Sequence, residues 1–210
     1  MKTKTKTITN TRTIKMVELA LFVAIIIIMS FTPLGYIKTL GLSITLLVVP
    51  VTVGAILLGP SGGAILGAVF GITSFIQCFG LDAFGTMLLS ISPLSTFILT
   101  IVPRVLMGWF TGLIFVQLRK NSSTNKLSFL LTNLAGPLLN TLLFMPTFVL
   151  LFYNTDFIQQ QYVQPSGASN VFAFIVAFVG INGLIEAGVC FVLGTAISKT
   201  LDVLKSKAII

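Results

Sequence analysis

The chain has 210 residues, of which 55% are hydrophobic and only 9% are charged, with a formal net charge of +8. Soluble domains carry about 25% charged residues, so this composition excludes a water-soluble fold and indicates an integral membrane protein. The sequence contains no histidine and no GxxxxGK[ST] loop. We therefore expect no enzyme activity, no metal site and no cofactor in this chain. The positive charge is interpreted as membrane topology, so no nucleic-acid partner is expected.

Continuous apolar runs, rather than alternating ones, predict membrane-spanning α-helices, each of which needs about 20 residues. The second and third runs are short and are separated by Gly59-Pro60, so we expect them to form a tight hairpin. The sequence thus predicts an all-α bundle of six transmembrane helices. These helices are predicted at 17–34, 43–58, 62–79, 94–118, 127–152 and 171–197.

Most of the 13 basic residues fall on one side of such a bundle. They precede the first helix, separate the fourth from the fifth, or follow the sixth. Because positive residues concentrate in cytoplasmic loops, both termini are predicted to be cytoplasmic. This gives a basic tail at 1–16, a transmembrane domain at 17–200 and a second basic tail at 201–210. The residues are Lys2, Lys4, Lys6, Arg12, Lys15, Arg119, Lys120, Lys126, Lys199, Lys205 and Lys207.

The predicted outer loop at 153–170 is rich in polar residues, and we interpret it as a solvated loop or as a lid over a site. Cys78 and Cys190 both lie within apolar runs. They are interpreted as buried thiols, although the sequence leaves a disulfide between them open.

Small residues at four-residue spacing predict flat helix faces that allow close packing. Ala20 and Ala24 form such a pair on the first helix, where they serve either packing within the chain or contact with another protein. The glycines of the third and fourth helices are assigned to packing within the chain. They are Gly59, Gly63, Gly67, Gly71, Gly108 and Gly112.

Arg104 is the residue of the predicted bundle whose burial in the membrane costs the most free energy. It lies roughly 14 Å into the fourth helix at 1.5 Å per residue, close to the middle of the membrane, where ionisable residues point to function. Its planar guanidinium suits a carboxylate held by two hydrogen bonds. The alternative is a structural ion pair with Glu186, the acidic residue deep in the sixth helix.

Three amides lie at a depth similar to that of Arg104: Gln77, Asn140 and Asn182. Together these side chains are predicted to surround one cavity in the outer half of the bundle, although each amide alone is also typical of contacts between helices. Aromatic side chains near the outer helix ends are expected to wall the pocket or to lie at the membrane interface. They are Tyr36 and Phe79.

Several segments together resemble one family. They are Phe31–Ile37 (FTPLGYI), Gly54–Pro60 (GAILLGP), Gly71–Phe75 (GITSF) and Pro103-Arg104. In this order they resemble the substrate-binding S components of energy-coupling factor (ECF) vitamin transporters, and most closely the pantothenate-specific S component. The candidate substrate-binding residues are Arg104, Gln77, Asn140, Asn182, Glu186, Tyr36 and Phe79.

The resemblance implies a multi-pass protein of the bacterial plasma membrane that binds a vitamin near its outer face. It also implies a complex with a transmembrane coupling protein, the T component, and with two cytoplasmic ATPases that use ATP. In that family the small-residue motif on the first helix contacts the T component, and it matches Ala20 and Ala24 here.

Two alternatives remain open at this stage. The first is an S component for another water-soluble vitamin or vitamin precursor. The second is a structural or assembly membrane protein without a ligand, which predicts that Arg104 and Glu186 pair fully and leave no cavity. A membrane enzyme is disfavoured, because the chain lacks histidine and a GxSxG motif.

Overall fold

The computed structural model describes residues 11–38, 43–120, 127–165 and 170–208. The described chain is predominantly helical, as the sequence predicts, with π-helical turns at Gln159–Val163 and Cys190–Gly194. Two short strands, β1 (Tyr36–Lys38) and β2 (Ser43–Thr45), pair antiparallel with Tyr36 opposite Thr45. The helices are α1 (Thr11–Ser30), α2 (Val48–Gln77), α3 (Ala83–Ile91), α4 (Pro93–Lys120), α5 (Ser128–Phe152), α6 (Asp156–Ile158), α7 (Val171–Val189) and α8 (Thr195–Ala208).

Within the described ranges, five helical stretches are long and apolar enough to cross a membrane. Their apolar length matches the hydrocarbon thickness of a bilayer. They indicate a multi-pass membrane protein, in agreement with the composition. These stretches are Arg12–Ser30, Val48–Gln77, Pro93–Lys120, Ser128–Phe152 and Gly183–Leu204.

Helix α2 is interrupted at Gly59, whose φ of 83° lies in the left-handed region that favours glycine. A Cβ placed on Gly63 would lie 2.8 Å from the Cβ of Ala55. In an uninterrupted helix these two positions, eight residues apart, are separated by about 12 Å. The chain therefore reverses direction at Gly59, and the halves 48–58 and 60–77 lie side by side as the predicted hairpin.

The glycine stripe lets the second half of α2 approach the backbone of α4. A Cβ on Gly67 would overlap the backbone carbonyl group of Arg104, and a Cβ on Gly63 would overlap the carbonyl oxygen of Gly108. Such contacts require residues without a side chain at these points. The prediction of packing within the chain is thus confirmed for Gly63, Gly67, Gly71, Gly108 and Gly112, whereas a Cβ on Gly59 would meet nothing within 4 Å and that residue instead forms the turn.

Contacts along α1 and α4 bring several helix ends to one end of the bundle. Ser30, at the end of α1, donates a hydrogen bond to Thr73 (2.9 Å). Phe22, about two turns earlier, packs at Gly54 together with Leu66. Helix α1 therefore runs parallel to the second half of α2 and begins at the end of the bundle where Gly59 lies. A Cβ on Gly112 would lie 2.6 Å from Cα of Pro60, which places the end of α4 there too.

The beginning of α5 and helix α8 complete this end. Arg119 donates two hydrogen bonds to the carboxylate of Asp202, at 3.2 and 3.1 Å, and thereby joins α4 to α8. Asn133 donates to the hydroxyl of Ser198 (3.0 Å) and joins α5 to α8. The described basic residues of the two predicted tails and of the 119–120 segment therefore gather at one end, which we call the basic end.

Several boundaries differ from the predicted ones. Helix α1 spans Thr11–Ser30 rather than 17–34, because Pro33 cannot continue the hydrogen-bond ladder of the helix. The predicted second helix at 43–58 begins at Val48, since β2 occupies Ser43–Thr45. Helix α8 continues through Ala208 and takes in most of the segment predicted as a tail at 201–210.

Helix α3 (Ala83–Ile91) was not predicted. At nine residues it is too short to register as a membrane span. It begins at Asp82, whose side chain accepts a hydrogen bond of 2.7 Å from the backbone N–H of Gly85. The predicted loop at 153–170 likewise contains helix α6 and the π-helical turn, while residues 166–169 lie outside the described ranges.

The Gly67 contact predicts a large stability difference between two glycine substitutions. Gly67→Ala must push α2 away from the α4 backbone, and overpacking of this kind costs about 1–3 kcal/mol. Gly188→Ala is the matched control, because a Cβ on Gly188 of α7 meets nothing within 4 Å. Thermal unfolding of the purified protein in detergent should show a clearly lower midpoint for Gly67→Ala. Equal midpoints for the two variants would contradict the close approach.

Candidate functional site

A cavity of about 220 Å³ lies in the half of the bundle opposite the basic end. Helices α2, α3, α4, α5 and α7 enclose it together with residues of the two strands. Its wall combines apolar side chains with a few polar groups, as is typical of small-molecule sites. The polar side chains that matter most are Tyr36, Ser74, Gln77, Arg104, Asn140 and Glu186.

Arg104 projects from the middle of α4 into this cavity. Its Nη1 donates to the carbonyl oxygen of Leu99 at 3.0 Å. The guanidinium carbon also lies 5.1 Å from the ring centres of both Phe70 and Phe144, within the range of cation–π attraction. The Nε of Arg104 is buried and has no hydrogen-bond partner among the described residues. The guanidinium is therefore held in place but retains an unused donor.

Arg104 and Glu186 do not form the predicted structural ion pair. An acid–base pair with N–O atoms within 4 Å lies at the basic end, between Arg119 and Asp202, and none is described between Arg104 and Glu186. Glu186 instead accepts a hydrogen bond from Nδ2 of Asn140 at 3.3 Å and another from the backbone of Thr45. The direct ion pair of the structural alternative is thus not formed among the described residues.

Gln77 lines the cavity at the end of α2, as predicted. Its Nε2 donates to the backbone carbonyl of Ser30 and so ties α2 to the end of α1. The side chain therefore also makes the contact between helices that the sequence left open as an alternative. Asn140 likewise lines the cavity and bonds across to α7.

Tyr36 reaches from β1 onto the cavity wall. Its hydroxyl lies 3.3 Å from the hydroxyl of Ser74 on α2. Burial raises the pKa of the Tyr36 phenol above its usual value, so the phenol stays protonated at neutral pH and able to donate. Two contacts therefore hold the paired strands against the cavity. One is between Tyr36 of β1 and Ser74, and the other is between the backbone of Thr45 of β2 and Glu186 of α7.

Phe79 does not join the described cavity. Phe79 is 66% exposed and packs edge-on against Phe75, 5.4 Å away. It follows the last turn of α2 and faces outward, so its assignment to the pocket wall is wrong. The side chain of Asn182 lies outside the described residues. Cys78 and Cys190 are both buried and free, in agreement with the thiol interpretation.

Several residues that line the cavity were not predicted from the sequence. Thr100 and Phe144 each lie four residues from a predicted site residue, Arg104 and Asn140, and so share a helix face with it. This periodicity is a signal that was available in the sequence. Thr45 and Asp82 lie outside the long helices, and their positions depend on the strand pairing and on the cap of α3.

Ala20 and Ala24 lie exposed on the outer face of α1. Neighbouring apolar residues on the same helix are exposed as well, with Leu21 at 60% and Ile28 at 61%. The pair therefore leaves a small-residue surface on α1 open, rather than packing against the rest of this bundle.

The Tyr36–Ser74 contact predicts a local effect of removing one hydroxyl. Tyr36→Phe should loosen the paired strands, because a hydrogen bond of this kind contributes about 0.5–1.5 kcal/mol. Hydrogen exchange measured by mass spectrometry should become faster over 36–38 and 43–45. Tyr153→Phe, at the end of α5, is the control and should leave exchange in these strands unchanged. Unaltered protection in Tyr36→Phe would show that the hydroxyl contact does not hold the strands.

Comparison with known proteins places the chain in a family. The family model described as "ECF transporter, substrate-specific component" matches residues 14–198. A search of the curated proteins finds no match. The matched segment covers most of the chain and includes every helix that lines the cavity. This chain therefore belongs to the family of substrate-specific components of ECF transporters, which are transporter subunits and not enzymes.

Proposed function

We propose that this protein captures a small acidic vitamin from outside the cell, with pantothenate as the first candidate. The observation that carries the proposal is the guanidinium of Arg104, which faces a cavity without a carboxylate partner from the described chain. A buried cation is stabilised by an anion, and a ligand carboxylate entering the cavity supplies one. The presence of the cavity also argues against a purely structural protein.

The size and polarity of the cavity support a small ligand. Its volume of about 220 Å³ is below the range of about 300–1,000 Å³ that is common for drug-sized ligands. Pantothenate offers a carboxylate for Arg104, and an amide and hydroxyls for the amide side chains nearby. Another small acidic vitamin or a vitamin precursor is the alternative within the same family.

The proposed topology has six spans, because the two halves of α2 run in opposite directions and count separately. The positive-inside rule assigns the basic end, with both termini, to the cytoplasm. The cavity then opens in the outer half of the bundle, where a solute arrives from outside. This orientation suits uptake across a bacterial plasma membrane.

Transport requires partners, since nothing in the sequence of this chain supplies energy. We propose a complex with a T component and two cytoplasmic ATPases, as the family implies. The exposed pair Ala20 and Ala24 on α1 is the proposed contact for the T component, because small residues let a neighbouring helix approach closely.

Ligand binding to the purified chain tests the proposal directly. Radiolabelled pantothenate and other acidic and neutral vitamins are titrated against the wild type and against Arg104→Ala. Removing one partner of a buried charge pair costs about 2–5 kcal/mol, so affinity for the acid should fall at least about 30-fold. Arg119→Ala, which removes an exposed arginine at the basic end, should bind like the wild type.

Two results would contradict the proposal. One is unchanged affinity in a folded Arg104→Ala protein. The other is preference of the wild type for a neutral or cationic vitamin over every acid. Arg104→Lys separates charge from geometry. A lysine keeps the positive charge but lacks the planar guanidinium that binds a carboxylate through two hydrogen bonds, so intermediate affinity is expected.

The α1 surface predicts a separation of binding from transport. Ala20→Trp and Ala24→Trp should prevent assembly with the T component and abolish vitamin uptake, while ligand affinity of the isolated chain stays the same. Ala196→Trp, also at an exposed alanine but on α8, is the control and should still assemble. Loss of ligand affinity in the α1 variants would instead assign the pair to packing of the bundle. Normal assembly would show that the T component binds elsewhere.

A further inference from the structure

The cavity carries polar groups of opposite hydrogen-bonding character. Arg104 supplies donors alone, since a guanidinium has no acceptor. Glu186 and Asn140, which line the same cavity and are joined by a hydrogen bond, present acceptors. We propose that the Glu186–Asn140 pair is a second subsite that binds hydrogen-bond donors of the ligand. The protein then selects acids that carry hydroxyl or ammonium groups over acids that lack them, an inference that rests on the proposed function.

The orientation of Asn140 is the first support. Its Nδ2 donates to Oε1 of Glu186 at 3.3 Å. That bond fixes the amide so that its carbonyl oxygen, Oδ1, is the remaining hydrogen-bonding atom. Oδ1 is buried and has no partner among the described residues. A buried acceptor of this kind is stabilised when a ligand brings a donor to it.

Glu186 is the second support. The two oxygens of a carboxyl group carry about four lone pairs in all, and the contacts described for Glu186 are those from Asn140 and from the backbone of Thr45. Without an ion pair to Arg104, the carboxylate keeps capacity for further donors. It also lines the same cavity as the unpartnered Oδ1.

Other polar groups of the wall are partly occupied. One oxygen of Asp82 caps α3 through the N–H of Gly85, at 2.7 Å, and the Tyr36 hydroxyl is engaged with Ser74. Among the described residues of the wall, the buried acceptor that has no partner is Oδ1 of Asn140.

The two acceptors make the protein selective because a ligand without hydrogen-bond donors loses binding free energy when it covers them. An acid without donors satisfies Arg104 but displaces water from Glu186 and Asn140 and leaves both acceptors unpaired. Sites built to hydrogen-bond a polar group reject analogues that lack it far more strongly than apolar pockets reject a missing methylene. The second subsite thus determines which acids bind, while Arg104 determines that an acid binds.

The test compares three acids of similar length on the purified full chain. They are pantothenate, its analogue with both hydroxyls replaced by hydrogen, and an analogue with an ammonium group in place of the hydroxyls. For the wild type, the analogue without hydroxyls, whose amide N–H is its remaining donor, should bind about ten-fold more weakly or worse than the better of the other two. The preferred donor, hydroxyl or ammonium, identifies the ligand class.

Two variants assign this preference to the subsite. Glu186→Gln and Asn140→Ala should each bring the affinity for the analogue without hydroxyls close to the affinities for the other two acids, with the larger change in Glu186→Gln if the preferred donor is ammonium. Asp202→Asn makes the same carboxylate-to-amide change at the basic end and should keep the wild-type ratio. A ratio of affinities within one variant does not depend on how much protein is folded.

The outcomes separate the two proposals. Arg104-dependent binding of all acids with equal affinity overturns the donor subsite and leaves the proposed function standing. Donor preference that survives in both Glu186→Gln and Asn140→Ala also overturns the subsite. Failure of the wild type to bind any of the acids overturns both proposals.

Discussion

The structure depends on holding one guanidinium inside the hydrocarbon layer. A charged side chain at this depth costs several kcal/mol, and the chain offsets part of that cost with a carbonyl bond from Leu99 and with the faces of Phe70 and Phe144. These neighbours orient the group but do not neutralise it. In the proposed function, an anion that enters the cavity neutralises the group, and the free-energy penalty of placing Arg104 there becomes affinity for that ligand.

Close packing of α2 on α4 is what fixes the position of that group. Gly67 lies against the backbone carbonyl of Arg104 itself, so the glycine stripe and the binding residue meet at one point of the bundle. The same half of α2 carries Gln77, which is tied to the end of α1. The contact between α2 and α4 and the wall of the cavity therefore share Arg104. A change in the packing of Gly67 moves the proposed site, although Gly67 itself does not line the cavity.

The sequence predicted the helical membrane architecture, the reversal at Gly59-Pro60 and most polar groups of the cavity, because apolar length, backbone breakers and intramembrane polar residues are strong local signals. It did not predict whether Arg104 pairs with Glu186. That outcome depends on how α4, α5 and α7 rotate about their axes, and depth along a helix does not report rotation. Phe79 was misplaced for the same reason, and Thr45 entered the site through a strand pairing too short for any periodicity to reveal.

The ion pair between Arg119 and Asp202 lies at an exposed position, where it contributes little to the free energy of unfolding. Arg119 and Asp202 meet at the basic end with side chains 45% and 31% exposed, and exposed pairs of this kind contribute about 0–1 kcal/mol. Arg104 and Glu186, in the interior, attract each other at longer range, but no contact within 4 Å is described between them. This separation leaves an unused donor on Arg104 and acceptors on Glu186 and Asn140, which is the arrangement that the proposed ligand needs in order to exchange its water for protein.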